Sequence, residues 1–298
     1  MSVILMYHRV AAPATDPYGL AVHPDRFAAH VEELVRRGAV VPLEELVTGR
    51  QRGQIAVTFD DGYVDNATVA APLLSSAGLP ATWFITAGRL GGRRFWWDRL
   101  ADALLGPGAP DSADVTLDGR DLWLDLHDPS ARRIALRFLH RRLRPLPPDE
   151  LERAVTDVVE TLGSPERDDE ADSTMTVDQL HGLADLPQQE VGAHTRTHLQ
   201  LRDQTEELQR AEILGSVQDI AEVLGRPVRS FAYPFGSEGA VGALAPRLVA
   251  EAGCVLACST SPGPVRRRSD RYLLPRLNVQ DWDVDAFRTH LDTTLDQR

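Results

Sequence analysis

The chain has 298 residues, 43% of them hydrophobic, with 32 basic against 44 acidic residues and a net charge of −12. That length accommodates two average domains or one α/β barrel, and the negative field argues against a nucleic-acid or anionic-membrane partner. Every basic residue is Arg, which excludes Schiff-base lysine chemistry, lysine-held pyridoxal phosphate and a lysine-bearing phosphate loop.

Val3 to Tyr7 reads as a first buried strand ending at His8. The stretch Met1–His8 carries no basic leader, and no run reaches the length of a membrane span. The two cysteines, Cys254 and Cys258, need not pair, and so few in a chain this long fit a reducing compartment, so the expectation is a cytoplasmic protein. Asp25–Arg37 has helical spacing in Phe27, Val31, Leu34 and Val35, and Gly38 stops it. A short apolar run, Ala39–Val41, precedes Pro42, and Ile55-Ala56-Val57 then leads into Asp60. Val64–Ala77 reads as one helix and Ala81–Thr86 as the next strand.

Residues 89–173 break the rhythm with Gly91-Gly92, a Trp96-Trp97-Asp98 cluster, Gly106-Pro107-Gly108 and Arg-rich helical segments at 131–144 and 149–162. They read as an inserted helical subdomain in a single domain spanning 1–298, with Glu166–Asp172 as a solvated connection. The alternation then resumes. Strand Glu190–Ala193 is followed by a helix over Thr205–Leu224, strand Ser230–Tyr233, a helix over Ala240–Ala252, strands Val255–Ser259 and Leu273–Val279, and a helix from Val284. About seven β/α repeats predict an α/β fold, a distorted (β/α)7-like barrel with a parallel sheet.

Two strand ends carry the chemistry. Thr58-Phe59-Asp60-Asp61-Gly62 places adjacent carboxylates just beyond a buried strand, where they repel unless a cation or donors compensate. The alternative is a helix N-cap pair. His194-Thr195-Arg196-Thr197-His198 offers two imidazoles four residues apart, a spacing able to hold one metal. A carboxylate with two histidines and an open coordination position is the pattern of a hydrolytic metal site.

On these two stretches the sequence resembles the polysaccharide deacetylase family, metal-dependent carbohydrate esterases, over roughly residues 1–88 and 174–280. The first matches the family's Thr-Phe-Asp-Asp-Gly motif and the second its His-[Ser/Thr]-x-x-His. The resemblance implies a barrel of about seven strands, Asp61, His194 and His198 as metal ligands, and Asp60 as general base. Zinc suits two nitrogens and one oxygen, while cobalt, nickel, manganese and iron accept similar sets.

Where the family has Arg-Pro-Pro-Tyr-Gly, this chain has Phe231-Ala232-Tyr233-Pro234-Phe235-Gly236. The turn is kept, so the Phe235 amide is a candidate oxyanion donor with Tyr233 beside the substrate, but the Arg that would hold the base is replaced by Ala232. Arg276, at the end of the last strand, is the candidate substitute; the alternative is a surface ion pair. The family's late Leu-x-His is missing too. Met6-Tyr7-His8-Arg9-Val10 is similar to rearranged exopolysaccharide deacetylases, in which an N-terminal Tyr-His fills the acid position. His8 is thus the candidate acid, or else a buried structural histidine. Trp96 and Trp97, Trp97 above all, suit stacking on a sugar or anchoring the insert.

The expected function is removal of an N-acetyl group from an amino-sugar unit, the substrate being a small molecule or oligosaccharide inside the cell. The alternatives are an impaired carbohydrate-binding protein and a deacylase of a non-sugar amide. A two-carboxylate glycosidase is excluded, because Asp60 and Asp61 are adjacent and that chemistry needs separated acids.

Overall fold

The computed structural model describes residues 1–49, 52–117, 119–164 and 172–297. In chain order the elements are β1 (Val3–Tyr7), β2 (Arg9–Val10), β3 (Ala21–Val22), α1 (Pro24–Arg37), α2 (Leu43–Thr48), β4 (Ile55–Phe59), α3 (Ala71–Ser76) and β5 (Ala81–Ile85). Next come α4 (Trp96–Leu105), β6 (Ser112–Leu117), β7 (Arg120–Asp125), α5 (Pro129–Leu143) and α6 (Pro148–Thr161). The chain continues through α7 (Val177–Ala184), β8 (Gln189–Ala193), α8 (Glu206–Leu224), β9 (Ser230–Ala232), α9 (Glu238–Val241), α10 (Ala245–Glu251), β10 (Leu256–Cys258), β11 (Leu277–Asn278) and α11 (Val284–Asp296). They fall into two units, Met1–Gly92 with Thr174–Arg298, and Arg93–Ser173. Among the described residues no helix is long and apolar enough to cross a membrane.

The first unit is built on a parallel seven-stranded sheet of order β10-β9-β8-β5-β4-β1-β11. Its outer edges are tied together: Leu274, just before β11, forms a parallel bridge with Cys258 of β10. The Leu274 amide donates to the Ala257 carbonyl and the Ser259 amide to the Leu274 carbonyl, both at 2.9 Å. The sheet thus curls on itself as a (β/α)7-like barrel.

Period-two alternation sorts each strand between two apolar layers. Leu5, Tyr7, Val57, Phe59, Trp83, Ile85, Phe231 and Tyr233 join the cluster under the helices. Ile4, Ala56, Phe84, Ala232 and Cys258 belong to the smaller one inside the curl. Because β1 pairs with β4 in the register Tyr7↔Phe59, the next residues, His8 and Asp60, leave the sheet side by side.

Several expected elements change at their ends. The helix predicted over Val64–Ala77 is divided into a π turn, Asn66–Ala70, and α3. The helix predicted over Ala240–Ala252 is broken at Gly242 (φ +75°), and Pro246 in the first turn of α10 restarts it. The last predicted strand shortens to β11, and α2 and α7 were not expected at all. The N-cap reading of Asp60 and Asp61 fails, since neither caps a helix; Asp61 instead takes a left-handed conformation at φ +75°.

The second unit is not purely helical. Between α4 and α5 it contains an antiparallel hairpin, β6 with β7, in the register Ala113↔Leu124 and Val115↔Leu122. Val115, Leu117 and Leu124 turn inward between exposed Ser112, Asp114, Thr116 and Trp123. That alternation is a strand signal within an Asp-rich, weakly β-forming sequence. The expected helices at 131–144 and 149–162 are present as α5 and α6. Apart from Asp172, the Glu166–Asp172 connection lies outside the described residues.

Candidate active site

Asp60 and Asp61 follow β4, and their backbone is held from both sides. The Asp60 amide donates to the Tyr7 carbonyl at 3.0 Å and the Asp61 carbonyl accepts from Thr86 at 3.3 Å. Gly62, at φ +87°, completes the turn, where a Cβ would stand 3.2 Å from Ile85. On the other side of β5, β8 delivers His194, whose amide donates to the Ile85 carbonyl at 2.9 Å.

The three expected metal ligands meet. Asp61 Oδ1 lies 3.4 Å from His194 Nε2 and 3.2 Å from His198 Nε2, and all three side chains are buried. His194 Nδ1 is 2.7 Å from the Ala232 carbonyl, which can only accept, so this nitrogen carries the proton. In the neutral ring Nε2 then presents a lone pair to a carboxylate oxygen. Asp61 Oδ1 itself receives no aligned hydrogen bond among the described residues. Acceptors facing one another in a buried place call for a cation between them, and the donor set of two imidazoles and one carboxylate fits a divalent ion. Burial pushes the His198 imidazole below its ordinary pKa, which favours the neutral, ligating form.

Backbone strain marks the same place. Of the five non-glycine residues with positive φ among the described residues, four are Asp61, Thr195, His198 and Phe235. The His194–His198 loop is held in that shape by Glu212, a buried acid in the middle of α8. Its Oε2 accepts from the Arg196 and Thr197 amides and its Oε1 from the Thr197 hydroxyl, each at 2.9 Å. Thr195 Oγ1 accepts from the His198 amide at 3.0 Å. Arg196 reaches over α8 to Asp219 with two bonds of 2.6 and 2.7 Å, crossing Gly215, where a Cβ would lie 2.3 Å from Arg196 Cζ. Glu212 escaped the sequence reading; its only signal there is an acid amid the apolar spacing of a helix.

Arg276 is fully buried and meets Asp60 with both ends of its guanidinium, Nη1 to Oδ1 at 2.7 Å and Nη2 to Oδ2 at 2.6 Å. Its Nε donates to the Ser259 carbonyl at 2.8 Å and Nη1 also to Thr58 Oγ1 at 3.2 Å. Burial alone would raise the Asp60 carboxyl, but the charge and hydrogen bonds of Arg276 hold it below its ordinary value. An ionised carboxylate whose oxygens each keep a second lone pair can still receive a proton. His8 stands at the end of β1 beside Asp60. Its Nδ1 is buried with no hydrogen-bond partner among the described residues.

Phe235 closes this side of the site. Its ring stands edge-on to His198 with centroids 4.8 Å apart, and its carbonyl accepts from Thr260 Oγ1 at 2.8 Å. At Gly236 a Cβ would come within 2.5 Å of the Thr260 amide, so the turn requires glycine. Tyr233 does not belong here. One residue past inward-facing Ala232, it points into the layer beneath the helices and packs against Phe231 at 5.3 Å. Trp97 lies in the second unit, 4% exposed, stacked on Phe95 at 4.2 Å and edge-on to Trp96 at 5.6 Å. So covered a ring has no face left for a pyranose, and the stacking-platform expectation is not sustained.

Comparison with known proteins follows the same lines. The polysaccharide deacetylase family model matches residues 48–105 and 169–253. No curated protein matches the chain. Among solved structures, the Streptococcus pyogenes deacetylase PplD in complex with acetate is similar at TM-score 0.64 and 16% identity, over 99% of this chain and 98% of its own. IcaB from Ammonifex degensii is similar at TM-score 0.62 and 18% identity, over 99% and 97%. A putative polysaccharide deacetylase from Bacillus anthracis follows at TM-score 0.63 and 16% identity, over 97% and 68%. At these identities the likeness is one of fold.

Proposed function

Since the chain belongs to the polysaccharide deacetylase family and is a carbohydrate deacetylase, we propose that it hydrolyses the N-acetyl amide of an amino-sugar unit, with one divalent ion, zinc by preference, held by Asp61, His194 and His198. Bound there, the ion supplies Lewis acidity toward an amide carbonyl and a water. Asp60, ionised and oriented by Arg276, takes the proton from the attacking water. The backbone amide of Phe235 faces the developing oxyanion. His8 protonates the departing amine, the place its position beside Asp60 supports. The reading extends to an intracellular glycoside or biosynthetic intermediate as substrate, a proposal to which the two buried, unbridged cysteines lend the support of a reducing compartment.

The observation that carries the reading is the forked Arg276–Asp60 pair standing next to the Asp61–His194–His198 cluster. It favours a working hydrolase over an impaired sugar binder, because binding alone gives no reason to hold a buried base ionised. The test is amine release from an N-acetylglucosamine oligomer by zinc-loaded protein. Release abolished by chelator and by Asp60→Asn supports the enzyme; sugar binding with no release by the loaded wild type overturns it.

A further inference from the structure

Residues 8, 9 and 10 are tied, one after another, to two consecutive residues that follow the catalytic turn. Asn66 Nδ2 donates to the His8 carbonyl at 2.8 Å and to Asp65 Oδ1 at 3.0 Å. Asp65 Oδ1 also accepts from the Val10 amide at 2.8 Å, and Asp65 Oδ2 from Arg9 Nε at 3.0 Å. The Arg9 guanidinium lies over the Tyr63 ring, 4.5 Å from its centroid. Arg9, Tyr63, Asp65 and Asn66 are all buried.

A buried ion pair adds little net stability, because desolvating both charges roughly offsets their attraction. What it does supply is a fixed geometry. Here the geometry fixed is that of the chain carrying His8, and the residues fixing it lie four and five positions beyond Asp61 on the same turn. A π turn begins at Asn66 itself, and such single turns recur at functional sites. One short stretch therefore holds the base, a metal ligand and the backbone of the candidate acid in register.

We propose that Asn66 and Asp65 are positioning residues for His8, setting the imidazole against the Asp60–Asp61 turn through the His8 carbonyl and the Arg9–Val10 backbone. This rests on the acid role given to His8 above. Zinc-loaded protein is assayed for amine release from an N-acetylglucosamine oligomer, with His8→Ala, Asn66→Ala and the double variant compared. Asn66→Ala is expected to lower kcat on the order of tenfold, a part of the roughly hundredfold or more that a general acid supplies. KM and zinc content stay near wild type. In the His8→Ala background, Asn66→Ala is expected to cost nothing further, because the group it positions is gone.

Additive losses in the double variant, or a loss confined to KM or zinc content, overturn the positioning role while leaving His8 as acid. A His8→Ala variant with wild-type kcat overturns the acid role and the positioning role with it. Should Asn66→Ala fail to fold, Asp65→Asn keeps the shape while removing the bond to Arg9 and the counter-charge of that buried guanidinium. A smaller drop in kcat is then expected, again absent in the His8→Ala background, and additivity overturns the inference.

Discussion

Arg276 and Asp60, 216 positions apart in the chain, are joined by two parallel hydrogen bonds of 2.7 and 2.6 Å between fully covered side chains. A guanidinium matches a carboxylate in this forked way and an ammonium does not. The residue just before β11 thereby supplies the orientation that Ala232 cannot supply from β9. Arg276→Lys is therefore expected to lower kcat by about two orders of magnitude while zinc content is kept, since precise placement of a catalytic group is worth that much. Arg276→Met leaves a buried carboxylate without its partner and should cost roughly 3–5 kcal/mol of stability. Steady-state kinetics, zinc analysis and chemical denaturation check both. Wild-type kcat in Arg276→Lys would show that the fork does not matter for turnover.

Asp60 and Asp61 are neighbours with different partners, and their variants should separate. Asp61 faces His194 and His198, so Asp61→Asn is expected to lose zinc, and its turnover with it. Asp60 faces Arg276, so Asp60→Asn should retain zinc and lose turnover. For the wild type, excess zinc is expected to raise the melting temperature, with stabilisation of about 2.7 kcal/mol at a hundred times Kd. That rise should vanish in His194→Ala. Zinc titrations followed by calorimetry decide the matter, and a full thermal response in Asp61→Asn would remove that residue from the ligand set.

Glu212 is not one of the three clustered candidate ligands, yet three of its bonds shape the loop between His194 and His198. Glu212→Ala removes the acceptors of all three bonds. Zinc affinity is expected to fall ten- to a hundredfold, as when outer partners of metal ligands are removed. Competition with a chromophoric chelator measures it without recourse to activity. An unchanged Kd would reduce Glu212 to a fold-stabilising role.

The legible parts of this site were the local ones. Asp60-Asp61-Gly62 and His194–His198 each carry their spacing within a few residues, and a strand end places them together. Arg276 could be read because a strand-end Arg was needed where Ala232 had none. Glu212 could not, since an acid in mid-helix looks like a solvated face unless the loop it caps is already in view. Tyr233 was misplaced by a single step of strand period: if Ala232 points inward, its neighbour points out. In the second unit the Trp96-Trp97 pair is conspicuous in sequence, whereas the burial of Trp97 depends on how the rest of the unit packs, which no local pattern encodes. The β6–β7 hairpin was hidden by its aspartates, which disfavour strands even where alternation is present.

Away from the site, Glu33 is an acid with no exposed side-chain surface that binds the first helix to the last. Its Oε1 accepts from Arg36 and Arg37 at 2.6 and 2.7 Å, and its Oε2 from Arg36 and from Arg288 of α11 at 2.9 and 2.8 Å. The hydrogen bond to Arg36 leads in lowering its pKa from 4.5 to about 2; burial opposes, and Arg288 and Arg37 add to the lowering. A carboxyl whose pKa is depressed in the fold contributes stability that is fully present above the unfolded value. That contribution is lost as the pH falls toward the folded value. Glu33→Gln is thus expected to melt below the wild type at neutral pH, with a gap that is constant down to about pH 5 and closes between 4.5 and about 2. Because Arg36 and Arg288 are partly exposed, added salt should narrow the gap without abolishing it. Melting curves of both proteins across pH measure this directly, and a gap that widens on acidification would mean that Glu33 is not held as the ionised form.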